Sequence, residues 1–266
     1  MIRSTSRLKW LAAATSTTSK YHHPFFDNCF SDNSFTTMVL TVHHLGHSQS
    51  DRVVFLCEEL GIEYQLKKYD RSPVLSPPEF KALHPIGAAP VIEDDGGVKM
   101  AETAACFEYI INIHGKGNLL VKPGDKTYPE FLYWYHFTNG TLQPSFGRTM
   151  AMTMAGIPND NATMARYNQR NQTVLKLVDD RLGEVPFLAG EEFTAADAMI
   201  IFSLTTMREF CPVDLSAYKN ILSYIQKIVT RPAYQRYLQK GDPDIDIQQF
   251  TKGPPPPVFA AFKQHK

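Results

Sequence analysis

Cysteine is scarce: the 266 residues hold only Cys29, Cys57, Cys106 and Cys211, well apart from one another. They form no CxxC pair and no Cys/His cluster at zinc spacing, which argues against a redox-pair enzyme and a structural zinc module. Cys57 and Cys106 lie among apolar residues and read as small buried hydrophobes, and a reducing setting is the natural inference. Net charge is missing as well, since 27 basic residues face 27 acidic ones. Nothing in that balance calls for nucleic acid or an anionic membrane as a partner. Nor does any run reach the roughly 18 to 20 apolar residues that cross a bilayer. What remains is 43% apolar and 20% charged, the range of ordinary globular chains, and long enough for two domains.

Acidic residues are absent from the start of the chain. Up to Asp27 there is none, while Arg3, Arg7, Lys9 and Lys20 are basic and Ser and Thr cluster around Trp10-Leu11-Ala12-Ala13-Ala14. That composition suits a mitochondrial presequence. The alternative is a start at Met38, directly before the first strand, with residues 1–37 a disordered extension. At the far end, Gly253 and four prolines lead into a tail, residues 246–266, expected to be extended and mobile.

Between these ends the pattern changes once. Val39 to His44 reads as a strand. Ser48 to Gly61 reads as a helix, with Val53, Leu56, Cys57 and Leu60 on one face and Gly61 as the stop. Tyr64 to Tyr69 is a second strand, and Pro77-Pro78 opens a short helix ending at His84-Pro85. Asp94-Asp95-Gly96-Gly97 joins two strands as a hairpin, and Thr103 to His114 is a helix. The order β-α-β-α-β-β-α over residues 38–116 predicts an α/β thioredoxin-like domain. After a polar linker around Lys122 to Thr127, strand signals stop. Pro129 to Ala155, Ala162 to Leu182, Ala195 to Glu209, Tyr218 to Val229 and Pro232 to Gln239 read as helices, giving an all-α bundle over 125–245. Thr194-Ala195-Ala196-Asp197 has capping-box spacing, so Asp197 reads as a structural carboxylate at a helix start.

Several of these segments together resemble the cytosolic glutathione transferases, most closely the fungal and bacterial serine-type branch. The loop after the first strand, His44-Leu45-Gly46-His47-Ser48-Gln49-Ser50-Asp51-Arg52, is similar to that branch's His-x-Leu-x-x-Ser-x-x-x-Arg. The likeness continues through Pro77 to Gly87, Ala89 to Ile92, Ala101-Glu102-Thr103, Gly140 to Pro144 and the Thr194 to Asp197 cap. It covers roughly residues 39 to 245. It implies that glutathione is a co-substrate rather than a bound cofactor, with no metal, an apolar electrophile as second substrate, a homodimer and a cytoplasmic setting. A glutathione-dependent isomerase or conjugating enzyme of fungal secondary metabolism, or a non-catalytic binding module, are the alternatives.

The resemblance also implies roles. A free glutathione thiol titrates near 8.5, so only about 3% is thiolate at neutral pH. A hydroxyl donating to the thiolate contributes roughly 1.5–3 kcal/mol, which lowers that value by about one to two units. Ser48 is the candidate hydroxyl, with Ser50 its rival, and helix capping the bland role for either. Pro90 would be a cis-proline that turns the backbone of Ala89 toward the cysteinyl part of glutathione. Glu102 suits the γ-glutamyl ammonium, and Thr103, at a helix start, the γ-glutamyl carboxylate; without the family, the two read as a helix cap. The branch often has lysine two residues before the proline, where this chain has Ala88, so His84, Lys81 or Arg71 would have to hold the glycyl carboxylate. Tyr133, Phe137 and Phe146 are the candidates for the apolar pocket, although core packing explains them as readily.

Overall fold

A computed structural model describes residues 39–71 and 75–258. The segment 1–37 and residues 259–266 of the tail lie outside that range, so the expectations for them are not addressed.

Four strands, β1 (Thr41–Leu45), β2 (Gln65–Tyr69), β3 (Val91–Asp94) and β4 (Val98–Ala101), form one sheet in the order β2-β1-β3-β4. β1 runs parallel to β2 and antiparallel to β3, and β3–β4 is the expected hairpin. Every residue of β1 is buried, as a central strand covered on both faces requires. This includes two adjacent histidines, His43 and His44, and hence two imidazoles that need polar partners inside the protein.

Helix α1 (Asp51–Leu60) follows β1. It starts three residues later than expected, because Ser48, Gln49 and Ser50 form a turn rather than the first helical turn. Gly61 ends it in the left-handed region at φ 63°, donating to the carbonyl of Cys57. Helix α2 (Pro78–Lys81) is a single turn opened by proline at its first position. Helix α3 (Thr103–Tyr109) runs into a π-helical turn at Ile110–His114. The element order is the expected thioredoxin-like one.

The second half is helical: α4 (Tyr128–Phe137), α5 (Gln143–Met154), α6 (Ala162–Glu184), α7 (Ala195–Leu204), α8 (Lys219–Val229) and α9 (Pro232–Lys240). One long helix was expected over 129–155. It is instead interrupted by a π-helical turn at Thr138–Leu142, which separates α4 from α5. Helix α7 is buried along its whole length. Its cap is as the spacing predicts: Asp197 accepts from the N–H of Thr194 at 2.9 Å and from that of Leu188 at 2.9 Å, and Tyr224 donates to it at 2.9 Å.

The two halves share one apolar core running from Val42, Val53 and Phe55 to Ile200, Tyr234 and Ile225. Salt bridges reinforce the contact of α1 with α9. Glu58, 5% exposed, receives Arg236 at 2.8 Å and also Lys240. The described part of the tail departs from expectation. Phe250 is fully buried, and the Arg208 guanidinium donates to the carbonyls of Phe250 (3.1 Å), Lys252 (3.3 Å), Gly253 (2.9 Å) and Pro254 (2.9 Å). A buried cation with that many donors needs carbonyl partners, and this segment supplies them. Proline content alone pointed to an extended tail.

Candidate functional site

The turn between β1 and α1 faces the bend before β3 and the start of α3, and a cleft lies between them. It has two compartments of about 420 and 410 Å³ whose walls share Gln49, Ala88, Ala89, Gln143, Met150 and Met207. Pro90, Glu102 and Thr103 line the first; Ser48 lines the second. Five of the expected site residues, from three separate segments, therefore meet in one cleft of ligand size.

The Ala89–Pro90 bond is cis. The Ala89 carbonyl accepts from the Gln49 side chain at 2.6 Å. Glu102, exposed, has φ 71° and ψ 117°, a backbone region that non-glycine residues rarely occupy. Such an outlier beside a cleft is the kind of strain that functional sites hold. Thr103, 5% exposed, presents its hydroxyl at the N-terminal end of α3.

Behind these residues sits Arg52, 1% exposed. Its guanidinium donates to Gln49 Oε1 at 2.8 Å, Thr103 Oγ1 at 3.2 Å, Gln143 Oε1 at 2.9 Å, Asn139 Oδ1 at 3.3 Å and the Met199 carbonyl at 2.9 Å. Gln143 also donates to Gln49 Oε1 at 2.9 Å. One cation thus ties both walls of the cleft to the helical half. Burial pulls its pKa down to about 10, still far above neutrality, so the charge persists. The sequence motif contained Arg52, but most of its acceptors lie on α3, α5, α7 and the π-helical turn, far from it in sequence, so no local pattern could assign it this role.

Ser48, 5% exposed, has its Oγ 2.8 Å from Ser50 Oγ and accepts from the Ser50 N–H at 3.2 Å. Ser50 is fully buried and does not line the cleft; its Oγ lies 2.9 Å from His44 Nδ1. Neither serine caps α1 through its side chain in the ordinary way: Ser50, at the cap position, makes no such bond. Of the two rival hydroxyls, the geometry puts Ser48 at the cavity.

The aromatic wall is placed differently from expectation. Tyr133 is 51% exposed and meets the buried rings of Trp134 edge-on and Phe137 at a tilt, while Phe137 and Phe146 are buried in the core. None of the three lines either compartment. Spacing along the helix is the reason. The stripe facing the cleft runs Asn139, Gln143, Gly147, Met150, and Phe137 projects from the far side of it. The apolar wall comes instead from Leu45, Leu75, Phe202, Met207 and Phe210. Phe202, Met207 and Phe210 lie in a stretch that reads as a plain buried helix. Its end at Leu204, where Thr205 turns to φ −121° and ψ −101°, brings Met207 and Phe210 to the cleft.

Of the candidates for the glycyl carboxylate, Lys81 and Arg71 line the 410 Å³ compartment and His84 does not. Arg71 donates to the carbonyls of Gly46 (3.0 Å) and His47 (2.7 Å), whereas Lys81 is exposed. At the cleft's outer edge, His47 meets Glu209 at 2.8 Å and Asp244 at 3.1 Å. Burial works to lower its pKa, but hydrogen bonds to Glu209 and Asp244 and the charges of Glu209 and Asp242 outweigh it and hold the imidazole up at about 9. The nearest ligand atoms of His47, Asp242 and Asp244 lie within 4.8 Å of one another, and a metal there would have to displace the imidazole proton.

A thioredoxin-like sheet with a cis-proline at the cleft, a helix N-terminus beside it and an all-α domain behind it defines a glutathione-binding architecture. The comparisons agree. Residues 48–113 match the glutathione S-transferase N-terminal domain and residues 148–241 the C-terminal domain, together more than half of the chain. The chain belongs to the glutathione S-transferase family. It is 28% identical over 242 residues to glutathione S-transferase 3 of Schizosaccharomyces pombe, spanning 82% of this chain and 97% of that one. A glutathione S-transferase from Actinobacillus pleuropneumoniae superposes with a TM-score of 0.71 at 28% identity, over 79% of this chain and 96% of the other. A Phanerochaete chrysosporium glutathione transferase, solved with oxidized glutathione, shares the fold with a TM-score of 0.63 at 19% identity, over 77% and 96% of the two chains.

Proposed function

We propose that this transferase joins the thiolate of glutathione to an electrophilic carbon of an apolar substrate, with Ser48 stabilising the thiolate. The observation that carries the assignment is the Ser48 hydroxyl on the wall of a cavity shared with Ala89 and adjoining Pro90, Glu102 and Thr103. Glutathione would lie along the Ala89 backbone with its γ-glutamyl end against Glu102 and Thr103. Lys81, exposed on the same compartment, is the group best placed for the glycyl carboxylate. The electrophile would sit against Leu75, Met150, Phe202, Met207 and Phe210, where the 410 Å³ compartment is mostly apolar. Detoxification in the cytoplasm fits this chemistry. Exposed Leu132 and Tyr133 on α4 offer apolar surface that a second copy would cover in a homodimer.

The test is the ultraviolet thiolate absorbance of bound glutathione against pH, for the parent, Ser48→Ala and Ser50→Ala. The parent should hold the thiol about one to two units below 8.5, and Ser48→Ala should return it most of the way. Binding with an unshifted thiol in the parent would instead favour a glutathione-binding module without transferase chemistry.

A further inference from the structure

The polar chain behind Ser48 continues inward. Ser48 Oγ lies 2.8 Å from Ser50 Oγ, Ser50 Oγ lies 2.9 Å from His44 Nδ1, and His44 Nε2 lies 3.0 Å from Asp242 Oδ2. The four residues are 5%, 0%, 0% and 2% exposed. Asp242 follows α9, so the end of the helical half reaches the centre of the sheet. Its other oxygen accepts from the His47 N–H at 3.1 Å, and Tyr237 approaches Oδ2 at 3.4 Å. Gly241 makes room for the approach, since a Cβ there would stand 3.1 Å from His44 Nε2.

Proton counting gives this chain a direction. A serine hydroxyl has one proton and two acceptor sites. At Ser50 Oγ one acceptor site is taken by the Leu45 N–H at 3.1 Å. With a neutral His44 protonated on Nε2 toward Asp242, Nδ1 can only accept. The Ser50 proton has two acceptors within reach, Nδ1 at 2.9 Å and the Leu45 carbonyl at 3.3 Å; it goes to the nearer, which otherwise has no donor, and Ser48 donates to the one remaining site on Ser50. The Ser48 oxygen, which also accepts from the Ser50 N–H at 3.2 Å, thus shows its one remaining lone pair to the cavity. With His44 protonated on both nitrogens the order reverses: Nδ1 donates to Ser50, Ser50 donates to Ser48, and the Ser48 proton is turned to the cavity.

We propose that His44, backed by Asp242, accepts the thiol proton of glutathione through the hydroxyls of Ser50 and Ser48. This rests on the transferase reading above and concerns where the proton goes. The thiol S–H breaks and its proton passes to Ser48 Oγ. The original Ser48 proton moves to Ser50 Oγ, and the original Ser50 proton forms the new N–H bond at His44 Nδ1. Two hydroxyls are regenerated, the electron pair stays on sulfur, and the charges created are one thiolate and one imidazolium. Each hydroxyl ends up pointing the way the thiolate needs, so deprotonation and orientation of Ser48 are the same event. Asp242 is the counter-charge that makes a buried imidazolium tolerable. Other charges surround the pair: Asp51 at the start of α1, Arg71 beyond β2, and His47 with Glu209 at the cleft edge. His44 touches no substrate and is a positioning residue that also stores a proton.

The experiment compares thiolate formed with protons released. Glutathione is mixed with the full chain in weakly buffered solution near pH 7 containing an indicator dye, and thiolate is read from its ultraviolet absorbance. S-methylglutathione, which has no thiol, gives the proton release from every other group and is subtracted. The relay predicts about zero protons released per thiolate, because the proton stays on His44. His44→Gln, which has no basic nitrogen, should form less thiolate and release about one proton for each that forms. If the variant does not fold, the parent stoichiometry alone decides. Release of about one proton per thiolate by the parent would overturn the relay and leave the transferase reading standing. Glutathione binding without any thiolate signal would overturn that reading, and the relay with it.

Discussion

Replacing Arg52 by lysine keeps the charge and most of the volume, yet should be among the most damaging conservative changes in the chain. The arginine donates five hydrogen bonds from a buried site, to Gln49, Thr103, Gln143, Asn139 and the Met199 carbonyl. The five contacts come from the four N–H of its two terminal nitrogens, Nε having no partner among the described residues, and an ammonium group has three, so at least one donor is lost. A hydrogen bond to a charged group contributes roughly 1.5–3 kcal/mol, which places the cost at about 1.5–3 kcal/mol at the least. For a chain of this size each kcal/mol moves the melting temperature by about 2–4 °C, so the shift should be at least about 3–12 °C. Function should suffer separately, because Gln49 and Thr103 lose the anchor that sets their place at the cleft. Circular dichroism melting reads the first effect, and the KM for glutathione at a temperature where the variant is folded reads the second. A melting shift below about 2 °C with an unchanged KM would refute the view that the planar fork joins the two halves.

Two further outcomes follow from the cleft's edge. His47 has a pKa raised from 6.5 to about 9 by its carboxylate partners. Its contribution to stability is therefore full below about pH 6.5 and is lost as pH rises through about 9; at about 1.36 kcal/mol per unit it is at most about 3 kcal/mol. Urea titrations across that window should show the parent losing stability and His47→Gln staying flatter; parallel curves would remove the ion pairs from the account. Lys81→Ala should raise the KM for glutathione about two- to fivefold with kcat unchanged, the scale of an exposed charge pair. An unchanged KM would leave the glycyl carboxylate to Arg71 or to solvent.

How much of this was legible in the sequence depended on how local each feature is. The Asp94 to Gly97 hairpin, the Gly61 stop and the Thr194–Asp197 cap were readable because each is decided within a few residues by turn geometry or capping bonds. Ser48, Pro90, Glu102 and Thr103 came from the family likeness, and the structure adds their common cleft. What could not be read were the partnerships between distant segments. His44 opened the family-like loop, but nothing near it in sequence named a partner; Asp242 comes only after α9, the last of the long helices. The aromatic run of α4 misled for another reason. Aromatic composition suggested an apolar wall, but Asn139 and Gln143, about 200° and 240° around the helix from Phe137, are the residues that face the cleft. The tail misled through its prolines, which say that a segment will not be helical but not whether a buried cation will hold it.

That last feature bears on how the protein can be handled. Arg208 is 1% exposed and spends its guanidinium on backbone carbonyls, four of them between Phe250 and Pro254. A shortened chain ending at Gln249 would keep every helix and every cleft residue, yet it would strand a buried cation with the Val213 carbonyl as its remaining partner. An affinity tag or fluorescent reporter joined after residue 258 leaves the clasp intact. The usable attachment point is therefore set by an arginine some forty residues upstream, not by where the last helix stops.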